Sequence, residues 1–155
     1  MSSQETFSLR LRLAGPSDAM VVIELVAKLM TELGFSPYDS RGTDSVFPGF
    51  VEDGTSGFIM VAEAEGVIAG ICGVSAVLAL RTRGIYGIVQ EVYVLPEYRR
   101  AQIGEALLKT SIDHARALGY AMVEVGTPPD GERQGRLYQR SGFRRFGDRY
   151  RHTLA

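Results

Sequence analysis

Leucines at positions 9, 11 and 13 alternate with polar residues over 8–13, the two-residue period of a strand with one buried face. Gly15-Pro16 interrupts the run. Met20, Ile23, Leu25, Val26, Leu29, Met30 and Leu33 then recur at helical spacing until Gly34, which predicts a first helix. The stretch 35–57 is rich in Gly, Pro, Asp and Ser around Val46, Phe47, Phe50 and Val51, and reads as a short helix inside a long loop. Two apolar, β-branched runs, 58–64 and 67–80, flank Glu65-Gly66 and predict a hairpin; a third, 85–95, ends at Pro96. Ile103, Ala106, Leu107, Leu108, Ile112, Ala115 and Leu118 mark another long helix, with Glu105, Lys109, Asp113 and Arg116 on its other face and Gly119 as its stop. Residues 121–125 read as a short buried strand, 133–141 as a helix stopped by Gly142, and 143–146 and 149–154 as terminal strands.

Short hairpin turns force antiparallel neighbours, whereas helical crossovers permit parallel ones. The order therefore predicts an α+β protein of three layers (α/β/α), with a mixed, mostly antiparallel central sheet of about seven strands and helices on both faces. One domain is expected over 1–155.

Composition agrees with a packed core, since 45% of residues are hydrophobic and 23% charged, which excludes disorder as the main state. Cys72 is the single cysteine and sits in an apolar run, so it reads as a small core residue that cannot form an internal disulfide. A reducing, cytoplasmic setting is the expectation. His114 and His152 lack paired ligands, so no metal is expected. No apolar run approaches the roughly 18 residues of a membrane span, and 1–10 lack a charged-then-apolar leader, so a soluble, unprocessed chain is expected.

The net charge of -1 hides a gradient. Residues 1–66 carry four Lys/Arg against ten Asp/Glu, and 131–155 carry seven Arg against two acids. An acidic front half suits a cationic ligand and a basic tail a polyanion, unless both are simply solvated faces. No aromatic stacking motif accompanies Arg136, Arg140, Arg144, Arg145, Arg149 and Arg151, so nucleic-acid binding is not expected.

The most informative stretch is Glu-Val-Tyr-Val-Leu-Pro-Glu-Tyr-Arg-Arg-Ala-Gln-Ile-Gly-Glu-Ala, residues 91–106. A strand ends at a proline, Arg99 and Arg100 follow, and a helix begins among small residues. Unbonded backbone N–H groups and guanidinium groups at such a place suit a phosphate. It is not the nucleoside triphosphate loop, because no Gly-Lys-Ser/Thr follows, and it lacks the three glycines of a dinucleotide turn. The competing reading is an ordinary helix start with solvated arginines.

After the intervening helix and strand comes Leu137-Tyr138-Gln139-Arg140-Ser141-Gly142-Phe143. With both motifs in this order the chain resembles the GCN5-related N-acetyltransferase (GNAT) superfamily, in detail over 88–146 and elsewhere in element order. The resemblance implies transfer of an acetyl group from acetyl-CoA to a primary amine, by direct attack in a ternary complex. It implies that the diphosphate is held by the backbone over Arg99, Arg100, Ala101, Gln102, Ile103, Gly104, Glu105 and Ala106. The pantetheine arm would pair with the strand edge at Val92 and Val94, with the thioester carbonyl near Tyr93 and Val94.

Two side chains then manage protons. The resemblance aims the Tyr138 phenol at the departing sulfur, as general acid. Glu91 is the candidate to accept the amine's proton, through water, and in an otherwise apolar strand its carboxyl is expected to have a raised pKa. Gln90 competes with it if a bulge shifts the register, and a plain surface carboxylate is the third reading. The chain departs from the family pattern at Gln102, where a glycine is usual, and at Gly131, where many relatives carry asparagine. A residue at negative φ is expected for Gln102, where side-chain type matters little. The region of Glu32, Asp39, Asp44, Glu52 and Asp53 borders the acceptor in this family, which favours a small cationic amine such as a polyamine, an aminoglycoside or an amino acid. The alternative is a catalytically weak acyl-CoA-binding sensor or interaction module. Exposed terminal strands suit a homodimer.

Overall fold

The computed structural model describes residues 8–128 and 130–154, and Arg100 in its backbone only. The first seven residues of the stretch read as leader-free lie outside the described residues. In chain order the elements are β1 (Leu9–Leu13), a 3-10 turn (Pro16–Asp18), α1 (Ala19–Glu32), α2 (Thr43–Val46), α3 (Pro48–Val51), β2 (Gly57–Ala64) and β3 (Val67–Ala79). There follow β4 (Gly84–Val94), a second 3-10 turn (Pro96–Ala101), α4 (Ile103–Ala117), β5 (Val123–Val125) and α5 (Glu132–Arg140).

The strands form one sheet in the order β1-β2-β3-β4-β5, antiparallel as far as β4 and parallel between β4 and β5. Glu65 and Gly66 turn the central hairpin with φ of 53° and 77°. Two successive left-handed residues match the right-handed twist of the flanking strands, which explains why so short a link suffices.

Alternation along β2 divides the core. Ile59 and Val61 pack with Val22, Leu25, Phe47, Ile71 and Tyr93 on the α1 side. Phe58, Met60, Ala62 and Ala64 pack with Cys72, Val74, Val89, Ile103, Leu107 and Leu108 on the α4 side. Both faces of the sheet are covered, which gives the expected three layers. Burying a leucine such as Leu107 or Leu108 completely contributes about 1.5–3 kcal/mol, so α4 is a principal anchor of the sheet.

The start of α1 is fixed by an ionic corner. Arg12 donates from Nη1 to Asp18 Oδ2 at 2.7 Å and from Nε to Glu63 Oε1 at 2.7 Å, and the Gly15 N–H donates to Asp18 Oδ2 at 2.7 Å. These bonds, the Arg12 guanidinium first, hold the Asp18 carboxyl below the usual carboxylate range.

Among the described residues there are five strands, where the sequence pattern predicts about seven. Residues 143–154 form no strand. A strand exists by pairing, and β5, at three residues, offers almost no ladder for another to extend. Phe146 is 85% exposed and Tyr150 96% exposed, so no packing compensates for the missing hydrogen bonds.

Candidate active site

β4 pairs with β3 from Gly84 to Val94, but with β5 only over Gly87, Ile88 and Val89. Past Val89 one edge of β4 is left open by the end of β5. The Leu95 N–H donates to the Ala69 carbonyl at 2.8 Å, so Leu95 turns its backbone groups toward β3. Alternation then turns those of Val94 and Val92 outward, into the open side, and those of Tyr93 back toward β3.

A bulge sits where this edge opens. Gly73 stands opposite Glu91 but Val74 stands opposite Val89, so Gln90 is the extra residue. Strict alternation would put positions 89 and 91 on one face. Instead Val89 and Val92 both pack on the α4 side and Tyr93 on the α1 side. Bulges commonly re-aim a side chain in this way. Gln90 is exposed, whereas Glu91 is half-buried with its carboxylate against Gly73. Burial pushes the Glu91 carboxyl up to about 7.

Beyond β4 the chain turns through Pro96–Ala101 to the start of α4. The Ala106 N–H donates to the Gln102 carbonyl at 3.2 Å, and the N–H groups of Ile103, Gly104 and Glu105 are the first-turn donors that an α-helix leaves without intrahelical partners. Together with the helix dipole they favour an anion. Gln102 and the α4 residues Glu105, Ala106 and Lys109 line a shallow depression of ≈190 Å³. Glu105 faces Lys109 at 2.8 Å and Arg140 at 3.8 Å, so its carboxylate is matched by cations from α4 and α5.

Gln102 departs from its expectation. Its φ and ψ are 56° and 28°, in the left-handed region, so the usual glycine is a conformational preference here and glutamine pays a steric penalty. Gln102→Gly is expected to raise the unfolding free energy by about 1 kcal/mol in urea denaturation. A loss of stability would show that the glutamine side chain makes a compensating contact.

Arg99 sits in the expected turn, but its guanidinium points away from the helix start. Its Nε donates to the Val94 carbonyl at 2.9 Å, its Nη2 pairs with Glu32 Oε2 at 2.7 Å, and the guanidinium carbon is 5.4 Å from the centre of the Tyr93 ring. It ties the end of β4 to α1, and its guanidinium is engaged there rather than with the first turn of α4. The side chain of Arg100 lies outside the described residues.

Tyr138 is carried by α5, whose Leu137 packs against the α4-side cluster together with Tyr138 and Phe143. The Phe143 ring meets that of Tyr138 edge-on at 6.0 Å, and the Phe143 N–H donates to the Tyr138 carbonyl at 2.9 Å. Burial raises the Tyr138 phenol above its ordinary range. Cys72 itself is pushed up to about 12 by burial, with the Glu91 charge adding to the shift and the nearby Ser111 hydroxyl opposing it. Such a thiol stays protonated, in keeping with a core role. Cys72 and Tyr138 both belong to the α4-side cluster.

A groove of ≈420 Å³ runs between α1 and β4, lined by Glu24, Ala27, Lys28, Thr31, Glu32 and Tyr93. Glu24 pairs with Lys28 at 3.5 Å, and Glu32 with Arg99. Of the acidic residues expected near an acceptor, only Glu32 lines it. Asp39, Asp44, Glu52 and Asp53 are exposed on the 35–57 segment, where Asp39 binds Arg41 and Asp53 binds the Thr55 hydroxyl and N–H. The three- and four-residue spacing of Glu24, Lys28, Thr31 and Glu32 was the available signal for this polar stripe. Among the described residues no group of three or more His, Cys, Asp or Glu is placed to hold a metal ion, and no helix is long and apolar enough to cross a membrane.

Comparison with known proteins gives this geometry a context. Residues 23–143 match the model of the acetyltransferase (GNAT) family. A curated relative, the IAA acetyltransferase of Azospirillum brasilense, is 36% identical over 84 residues, 54% of this chain and 52% of the relative. The matched segment thus spans about half the length of that protein. Among solved structures, an integron cassette protein from the mobile metagenome of Cole Harbour Salt Marsh has a TM-score of 0.80 at 22% identity, covering 93% of this chain and 89% of the other. An aminoglycoside N-acetyltransferase in complex with CoA has a TM-score of 0.81 at 13% identity, covering 97% of each chain. Glucosamine-6-phosphate N-acetyltransferase from Arabidopsis thaliana has one of 0.74 at 22% identity, covering 96% and 99%. At these identities the structures share the fold. The family match extends over most of the chain, from α1 through the strand edge and the helix start to Phe143, and the protein belongs to the GNAT acetyltransferase family.

Proposed function

We propose that this protein transfers an acetyl group from acetyl-CoA to the primary amine of a small acceptor, by direct attack in a ternary complex. The observation that carries the reading is the edge of β4 left open where β5 stops, adjoining the donor-rich start of α4. An arm bearing amide groups can pair with the outward backbone of Val92 and Val94, as an added strand does, and a diphosphate suits the N–H groups of Ile103, Gly104 and Glu105. The neighbouring Tyr93, Arg99, Arg100, Ala101, Gln102 and Ala106 shape the same corner. Because Arg99 already occupies the Val94 carbonyl, that residue's contribution to the arm is its N–H.

Acetyl-CoA brings an activated thioester, so the protein has to orient it, stabilise charge and move two protons. The amine nitrogen attacks the carbonyl carbon; the C–N bond forms and the C–S bond breaks. An outward N–H at the strand edge donates to the carbonyl oxygen as negative charge gathers there. An amine with a pKa near that of lysine, about 10.4, arrives protonated, and Glu91, through water, takes up the proton it must lose. Tyr138 gives its phenolic proton to the departing sulfur, and the second proton that the nitrogen sheds on becoming an amide restores the phenol.

The groove between α1 and β4 is the candidate acceptor site. Its Glu24 and Glu32 favour a small cationic amine, and their partners Lys28 and Arg99 leave room for an acceptor that also carries an anionic group. A sensor that binds acyl-CoA without turnover is the second reading, favoured by the strained Gln102 at the start of α4. Release of free thiol from acetyl-CoA, followed across polyamines, aminoglycosides and amino acids, separates the two. Turnover with at least one amine is expected. Tight binding of the coenzyme with no thiol release from any of them would support the sensor.

A further inference from the structure

Gly73 and Glu91 face each other across β3 and β4, immediately beside the bulge. A Cβ built on Gly73 would collide with Oε2 of Glu91 and lie 3.6 Å from its Cδ. The carboxylate thus occupies the volume that a side chain at position 73 would take. Backbone conformation does not account for the glycine, because Gly73 is absent from the residues with positive φ. Glycine inside a strand weakens it and marks a bulge, such as the one beside Gly73, a bend, or the close approach of another group. Here that group is the Glu91 carboxylate.

We propose that Gly73 is a positioning residue for the proton acceptor: its missing side chain leaves a niche on the face of β3 that the Glu91 carboxylate fills, which fixes the carboxylate's direction and limits the water reaching it. The inference rests on the reading of Glu91 given above. Among the described residues, the ionisable groups near this position come from several elements. Through the sheet, in the α4-side cluster, lie the Cys72 thiol, coupled electrostatically to Glu91, and Tyr138 of α5. From α1, Glu24, Lys28 and Glu32 line the groove over Tyr93, two residues along β4, and Arg99 is held by Glu32. Burial is the cause of the Glu91 shift, so the niche is the feature that controls it.

The test is a carbon-13 NMR titration of side-chain carboxylates in the full chain, with the Glu91 signal assigned by its loss in Glu91→Gln. The wild-type signal is expected to titrate near 7. In Gly73→Ala the new methyl displaces the carboxylate into water, and the midpoint is expected to fall toward the ordinary glutamate value of about 4.3, with the acid limb of kcat/KM moving down alongside it. Glu91→Asp, whose shorter side chain withdraws from the niche, is expected to titrate near about 3.9. A midpoint that stays near 7 in Gly73→Ala overturns the proposal; should that variant fail to fold, a midpoint near 7 in Glu91→Asp does so. An acid limb that persists in Glu91→Gln would instead remove Glu91 as the base and leave the NMR result to decide the niche separately.

Discussion

Tyr138→Phe is expected to lower kcat for acetyl transfer by about 10²- to 10³-fold, the range typical of a general acid, while leaving the Kd for CoA within about twofold. Phenylalanine keeps the ring that packs beside Leu137 and against Phe143, so the fold and the coenzyme corner are undisturbed. Only the hydroxyl is lost. Its raised pKa keeps that hydroxyl protonated through neutral pH, so the proton is present when the C–S bond breaks. A thiol's pKa is near about 8.5, well below a phenol's, so transfer is uphill until sulfur becomes anionic and hydrogen-bonded to the phenol. Stopped-time thiol release and calorimetric CoA binding, run on the same preparation, check both halves. Unchanged turnover would assign protonation of the sulfur to water.

The second large effect concerns Glu91. With its pKa near 7, kcat/KM for a fixed amine should climb through neutrality and level off above about pH 8, because the base is mostly protonated below that point. Glu91→Gln is expected to lower kcat/KM at pH 8 by about 10²-fold and to erase this limb. Stability should move the other way. A carboxyl whose folded pKa lies above its unfolded value of about 4.3 stabilises the fold fully only below that value, and the contribution is lost as pH rises through 7. At pH 8 the buried charge is a burden, so Glu91→Gln should be more stable than wild type by about 1–3 kcal/mol. A variant both less active and more stable is hard to explain by damage to the fold. If it were less stable at pH 8 and retained the limb, Glu91 would be structural.

Much of this was legible before any coordinates. The 3.6- and 2-residue periods located α1, α4 and the hairpin, and Glu65-Gly66 signalled a turn whose two left-handed residues the structure shows. What escaped was set by contacts distant in sequence. The choice between Gln90 and Glu91 depended on a bulge, and a bulge follows from pairing with β3, not from the β4 pattern. Arg99 looked like an anion ligand because its partner Glu32 lies 67 residues away, on a helix whose placement the local pattern cannot reveal. Gln102 could not be recognised as left-handed, since glutamine gives no conformational warning and glycine would have. The apolar alternation after Gly142 resembled two strands, but alternation expresses only a capacity to pair, and β5 supplies no adequate partner. Gly73 gave no local signal, because the group it makes room for is on the neighbouring strand.

A crystal structure with CoA bound is the decisive measurement. The diphosphate is expected on the N–H groups that open α4, the pantetheine arm against Val92 and Val94, and the sulfur within about 3.5 Å of the Tyr138 hydroxyl. Coenzyme found away from the β4 edge, or with its sulfur out of reach of that hydroxyl, would contradict the proposed mechanism.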